Sequence, residues 1–85
     1  MGEYSKALSY YERSLEIRKV ALPPNHPSLA GPDNNIGLVY DNMGEYSKAL
    51  GYYEKARGIW ENSLSKGHPE IAVVRRNIEF VQKKL

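Results

Sequence analysis

No cysteine occurs anywhere in the 85 residues. Disulfides and thiolate metal sites are therefore excluded as staples, in a chain whose small size already limits the core it can bury. Redox chemistry does not set the compartment, and a reducing cytosol fits, so a cytoplasmic location is the expectation. Long apolar runs are missing too, and nothing approaches a membrane span. The opening MGEYSKALSYYERS lacks a basic region followed by an apolar stretch, so it does not read as a secretory signal. Histidine is confined to His26 and His68. Neither stands at a recognisable ligand spacing, so no metal and no cofactor is implied, and each reads as a linker residue that caps or packs the next helix. No Ser–His–Asp order, Gly-rich phosphate loop or HExxH is present, so a nucleophile, base and orienter cannot be assembled and no enzyme is expected. A strong charge of one sign is absent as well. The formal net charge is +2, with −1 over residues 1–42 and +3 over residues 43–85. That tilt falls short of a dedicated nucleic-acid binder.

What the chain does contain is itself, twice. MGEYSKAL stands at Met1–Leu8 and again at Met43–Leu50. At an offset of 42, Tyr10-Tyr11-Glu12 matches Tyr52-Tyr53-Glu54, Ile17 matches Ile59 and Leu22 matches Leu64. His26-Pro27 matches His68-Pro69, Ala30 matches Ala72, Asn35-Ile36 matches Asn77-Ile78, and Val39 matches Val81. That is 19 identities in 42 ungapped pairs. A fixed period of this length marks a repeat architecture.

Each unit reads as two helices. Tyr46, Ala49, Leu50, Tyr53, Ala56, Trp60 and Leu64 recur at steps of three or four, one face of an amphipathic helix. Tyr4, Ala7, Leu8, Tyr11, Leu15 and Ile17 repeat the pattern in the first copy. Ile71, Val74, Ile78, Val81 and Leu85 form a further stripe. Gly2 and Gly44 precede the long helices, and Gly44 suits a left-handed helix end. LPPNHP and SKGHP stop those helices. Pro27 and Pro69 fit a first helical position, and Glu70 fits the positive helix end. The spacing predicts four helices over about 3–21, 32–42, 45–65 and 69–84.

These residues resemble tetratricopeptide repeats. Ile36-Gly37 with Tyr40 matches the first helix of such a repeat. Gly44-Glu45-Tyr46, then Ala49, Tyr53 and Ala56, matches the second. The 42-residue period, His26-Pro27 in the linker and Asn34-Asn35 in the first helix are similar to the kinesin light chain type. The resemblance implies an all-α, antiparallel helix-turn-helix solenoid in one domain, residues 1–85. Its units, 1–42 and 43–84, begin at a second-type helix, as in a fragment or the C-terminal end of a longer array. Two departures stand out. Ala30-Gly31-Pro32-Asp33 interrupts what such repeats run as continuous helix, so helix 2 is expected to start near Pro32, and Asp33 replaces a large apolar residue. Glu79 and Gln82 replace the counterparts of Gly37 and Tyr40, giving a polar face of the kind that caps an array.

The resemblance implies a protein–protein interaction scaffold that holds a protein or peptide segment on its inner face. The positions on that face are Asn34, Leu38 and Asp41 in helix 2, and Arg76, Phe80 and Lys83 in helix 4. Asn can grip a peptide backbone, Phe80 can receive an apolar anchor, and Arg76 with Lys83 can hold acidic residues. Against this stands solvated surface for charges such as Glu12, Arg13, Glu16 and Lys19, and helix-end bonding or end packing for Asn34, Asn35 and Phe80. A second expectation is self-association through Tyr4, Leu8, Tyr11 and Leu15, a face left for a preceding helix, giving a two-fold homodimer or a swap. A third is nucleic-acid contact through Arg75, Arg76, Lys83 and Lys84; the Tyr stripe reads as core before it reads as a base-stacking platform.

Overall fold

The computed structural model describes residues 3–23, 26–63 and 68–85. They form four α-helices: α1 (Tyr4–Ala21), α2 (Ala30–Asn42), α3 (Tyr46–Ser63) and α4 (Pro69–Lys84). A single 3-10 turn, Pro27–Leu29, leads into α2. Among the described residues there is no strand. Successive helices pack antiparallel, α1 on α2, α2 on α3 and α3 on α4. Gly2, Leu64, the expected end of helix 3 near position 65 and the stop signals at positions 24–25 and 65–67 lie outside the described residues.

The two linkers end alike. His26 and His68 sit at helix N-caps, where each Nδ1 accepts a backbone N–H two residues on: Ser28 at 3.1 Å and Glu70 at 3.2 Å. Pro27 and Pro69 follow at the first helical position, which needs no N–H. The corner between α2 and α3 is a glycine cap. Gly44 has φ +82°, its N–H bonds Asp41 O at 3.0 Å, and the Glu45 N–H bonds Tyr40 O at 2.9 Å. That pair of bonds satisfies carbonyls the helix end would otherwise orphan, and only glycine adopts the conformation without strain.

The start of α2 differs from the expectation. Helix was expected from near Pro32, but the α-helix begins at Ala30 and runs through Gly31 and Pro32. Pro32 falls in the first turn, where its missing N–H would have had no intrahelical acceptor, so the proline does not break the helix. The Ser28 carbonyl, four residues before Pro32, is taken instead by the Arg18 guanidinium at 2.9 Å. Relative to α4, which begins at the proline itself, α2 still starts three residues late, the interval being the 3-10 turn.

The core has two parts. In the larger, Ala49, Tyr53, Ala56 and Trp60 of α3 meet Ile71, Val74, Ile78 and Val81 of α4. In the smaller, Leu15 of α1 packs with Leu29 and Ile36, flanked by Leu8 and Tyr11. In α3, Ala49, Tyr53, Ala56 and Trp60 of the stripe are buried with Tyr46 and Leu50 half-buried beside them, and the α4 stripe is buried apart from exposed Leu85. The α1 stripe is a partial match, because Ile17 is 63 % exposed. Helix α3 is covered by α2 on one side and α4 on the other, whereas α1 packs mainly against α2 and the 3-10 turn.

Candidate functional site

α2 and α4 are the first-type helices of the two units, and both stand against α3. Their inner edges meet at one polar contact, in which the Asn77 side-chain amide donates to Asn34 Oδ1 at 3.5 Å. Register then sets the rest of the face. Leu38 is 38 % exposed and Phe80, its duplicate, 50 %. Arg76 and Lys83 are exposed on α4. The Lys84 ammonium lies 5.3 Å from the centre of the Phe80 ring, which adds a cation–π contact at the rim. A crevice of about 180 Å³ opens between the helices, lined by Asn34, Trp60, Pro69, Glu70 and Val73.

Four of the six residues expected on this face, Leu38, Arg76, Phe80 and Lys83, are exposed. Asn34 is half-buried and held by Asn77. Asp41 is half-buried and turned toward α3, where its Oδ2 accepts the Tyr53 hydroxyl at 3.1 Å. Arg76 also borders a second hollow, of about 530 Å³, on the far side of α4 with Arg57, Ile78 and Glu79. Sequence reasoning passed over Val73 and Asn77. The available signal was that Val73 replaces Gly31 across the repeat, putting an apolar side chain on the edge where the first unit has none.

Of the four residues expected to form an open self-association face, three are drawn toward α2. Leu15 is buried against α2, and Leu8 and Tyr11 are half-buried beside it. Tyr4 is exposed, and its hydroxyl donates to Asn42 O at 3.4 Å. This side of α1 therefore faces inward. The reason is that α1 supplies the outer wall of the smaller core with Leu8, Tyr11 and Leu15, while Tyr4, Tyr10, Ile17 and Val20 stay exposed. The side left open carries Tyr10, Arg13, Ser14, Ile17 and Arg18 around a hollow of about 240 Å³.

Of the basic residues of α4, Arg75 and Arg76 border the second hollow together with Arg57, and Lys84 does not. Arg75 is paired with Glu61 at 2.8 Å, and Lys84 sits over Phe80. Among the described residues, no three His, Asp or Glu side chains are grouped to hold a metal, and no helix is long and apolar enough to cross a membrane.

Among the described residues one buried charge remains, Asp33, with 4 % of its surface exposed. Burial raises its pKa above the ordinary carboxylate value, while Lys55 and then Lys19 pull it back. A carboxyl whose folded pKa is raised is most favourable when protonated, below the unfolded value near 3.8. Its contribution is lost as pH rises through the raised folded value. Asp33→Asn should therefore flatten the decline in stability over that window and raise the urea midpoint at neutral pH by an amount equal to roughly 0.5–1.5 kcal/mol. An unchanged pH profile in urea titrations would show that the two lysines already neutralise the cost.

The profile of the tetratricopeptide repeat family matches residues 1–28 and 34–70. The chain belongs to the tetratricopeptide repeat family. No curated protein matches it significantly. The residues between the two matched stretches include Gly31, Pro32 and Asp33, the segment where the 3-10 turn gives way to α2 and the buried carboxylate sits. Tetratricopeptide repeats are protein–protein interaction modules, and stacked repeats of this kind present extended concave surfaces to their partners.

Proposed function

We propose that this tetratricopeptide chain binds an extended protein segment along the inner face of α2 and α4, without catalysing a reaction. The observation that carries the reading is the exposure of Leu38 and Phe80. They are equivalent apolar residues on neighbouring first-type helices, and neither is drawn into the core. An apolar anchor in the bound segment gains by covering them. Arg76 and Lys83 border Phe80, so acidic residues next to that anchor are favoured, and Asn34 with Asn77 offers amide groups to its backbone. The 42-residue period and the His-Pro linkers support a kinesin light chain-like array, and the lack of cysteine suits a cytoplasmic setting.

The test uses a panel of short peptides that pair one Leu or Phe with acidic residues, against copies with the acids replaced by lysine. Binding is followed by the amide resonances of α2 and α4. The acidic set should bind and shift Phe80 and Asn34. Arg76→Glu with Lys83→Glu should weaken it by about tenfold, or about 1.4 kcal/mol, with the helical circular dichroism unchanged. Equal binding of both sets, or unchanged affinity in the double variant, would remove this face from consideration.

A further inference from the structure

Trp60 holds in α3 the position that Arg18 holds in α1, 42 residues earlier. Both side chains line one hollow of about 340 Å³ at the ends of the two linkers, together with Gly31, His68 and Glu70. The crevice of about 180 Å³ shares Trp60 and Glu70 with it. The two duplicates are used differently. Arg18 donates to the Ser28 carbonyl at 2.9 Å, because Pro32, four residues on, has no N–H to offer it. The duplicate of Pro32 is Val74, so α4 supplies the Glu70 carbonyl with a backbone donor and asks nothing of Trp60. The indole N–H is left over. Trp60 is 5 % exposed, and its N–H has no hydrogen-bond partner among the described residues. Nor is that N–H sealed from the surface, so it opens on the hollows that the ring lines.

Two more donors border the same space. The Nδ1 of His68 accepts the Glu70 N–H at 3.2 Å, so the proton of the neutral ring sits on Nε2. That Nε2–H has no partner among the described residues. The Arg18 guanidinium has N–H groups beyond the one given to Ser28, and it makes no ion pair with a described residue. Against these donors stands one acid, Glu70, which is exposed. Gly31 keeps the space clear, since a Cβ there would meet nothing within 4 Å, whereas its duplicate Val73 is branched. Pro27 and the Trp60 ring give the hollow apolar walls.

We propose that this hollow binds a small carboxylic acid with an apolar body. A carboxylate only accepts, and it has enough lone pairs for the Trp60 N–H, the His68 Nε2–H and the spare N–H groups of Arg18. The body lies against Pro27 and the Trp60 ring, where it is taken out of water. The volume is of the order that small-ligand sites have. A cation is the wrong occupant, because Arg18 repels it and only Glu70 can meet it. The site stands at the linker ends and does not depend on the inner face binding a protein segment.

The probe is phenylacetate, with phenylacetamide as its uncharged counterpart. Trp60 is the only tryptophan in the chain, so the indole N–H resonance reports on this site alone. Phenylacetate should shift that resonance saturably, and phenylacetamide should bind at least about tenfold more weakly, having lost a charge-assisted acceptor. Glu70→Gln removes the opposing exposed charge and should tighten phenylacetate by about threefold. Gly31→Val fills the hollow from its open edge and should weaken phenylacetate by about tenfold or more, with the helical circular dichroism unchanged. Equal shifts from the acid and the amide, or none from either, overturn the proposal. So does an indole resonance that moves with the acidic peptides of the inner-face test and not with phenylacetate, since that gives the three donors to a bound segment.

Discussion

Tyr53→Ala is expected to cost about 4 kcal/mol, enough to leave the chain largely unfolded if its stability is ordinary for its size. Tyr53 is fully buried in α3, at the point where α2, α3 and α4 share a core. Truncation removes the ring that lies on Gly37 and opens a cavity in a molecule too small to collapse around it. It also strips Asp41 of its donor. Urea titration followed by helical circular dichroism measures the loss, and a cost below about 1.5 kcal/mol would show that the ring is not the keystone described here. Tyr53→Phe separates the hydroxyl from the ring. It should cost about 1 kcal/mol at neutral pH. At alkaline pH the order reverses. Burial, then the Asp41 carboxylate and its hydrogen bond, raise the Tyr53 pKa well above 10.0. The unfolded chain releases that proton near 10 and the folded chain resists, so the phenol's contribution to stability is lost as pH rises through the window above 10. The phenylalanine variant lacks that part of the alkaline slope.

Most of the fold was legible in the repeat because the features that build it are short and local. Periodicity of three and four gave the buried stripes of α3 and α4, and Gly44 and the His-Pro pairs gave the corners. The start of α2 was misjudged because a proline was treated as a break, when its cost depends on whether its N–H had a partner to lose. Which face of α1 is open was not legible from one helix, since Tyr10 and Tyr11 are adjacent and both aromatic. It became legible only once α3 showed both members of its pair on α2, Tyr52 stacked on Tyr40 and Tyr53 lying on Gly37.

Asp33 shows the same limit from another side. Taken alone it breaks the apolar pattern of α2. Taken with its duplicate it is half of an exchange. Asp33 feels Lys55 of α3 and then Lys19 of α1, and Arg75 pairs with Glu61, the duplicate of Lys19. Both signs are reversed together between the units. Each of the two positions thus keeps a charge of opposite sign nearby. The inner-face residues were legible as positions but not as states. Nothing in the spacing tells that Asp41 spends its carboxylate on Tyr53 while Lys83, its duplicate, stays exposed.

Gly37→Glu carries the second large effect. The substitution copies into α2 what the chain already has at Glu79 in α4. In α2 the new Cβ would start 2.7 Å from two atoms of the Tyr53 ring, and that ring is fully enclosed and has no room to retreat. Overpacking of this kind costs about 1–3 kcal/mol, and Gly37→Ala should show that part alone. The carboxylate adds the cost of taking a charge out of water, so the glutamate variant should lose at least about 3 kcal/mol in urea titration. The reciprocal change, Glu79→Gly, should cost no more than about 1 kcal/mol, the intrinsic penalty of glycine in an exposed helix. Glu79 is on the exposed side of α4, with no tyrosine pair opposite. A large loss at position 37 beside a small one at 79 means that the two units share a fold but not a face: α2 is built to be covered by a following helix, and α4 to be left in water. Comparable losses at both positions would mean that α4 too is built to be covered on that side.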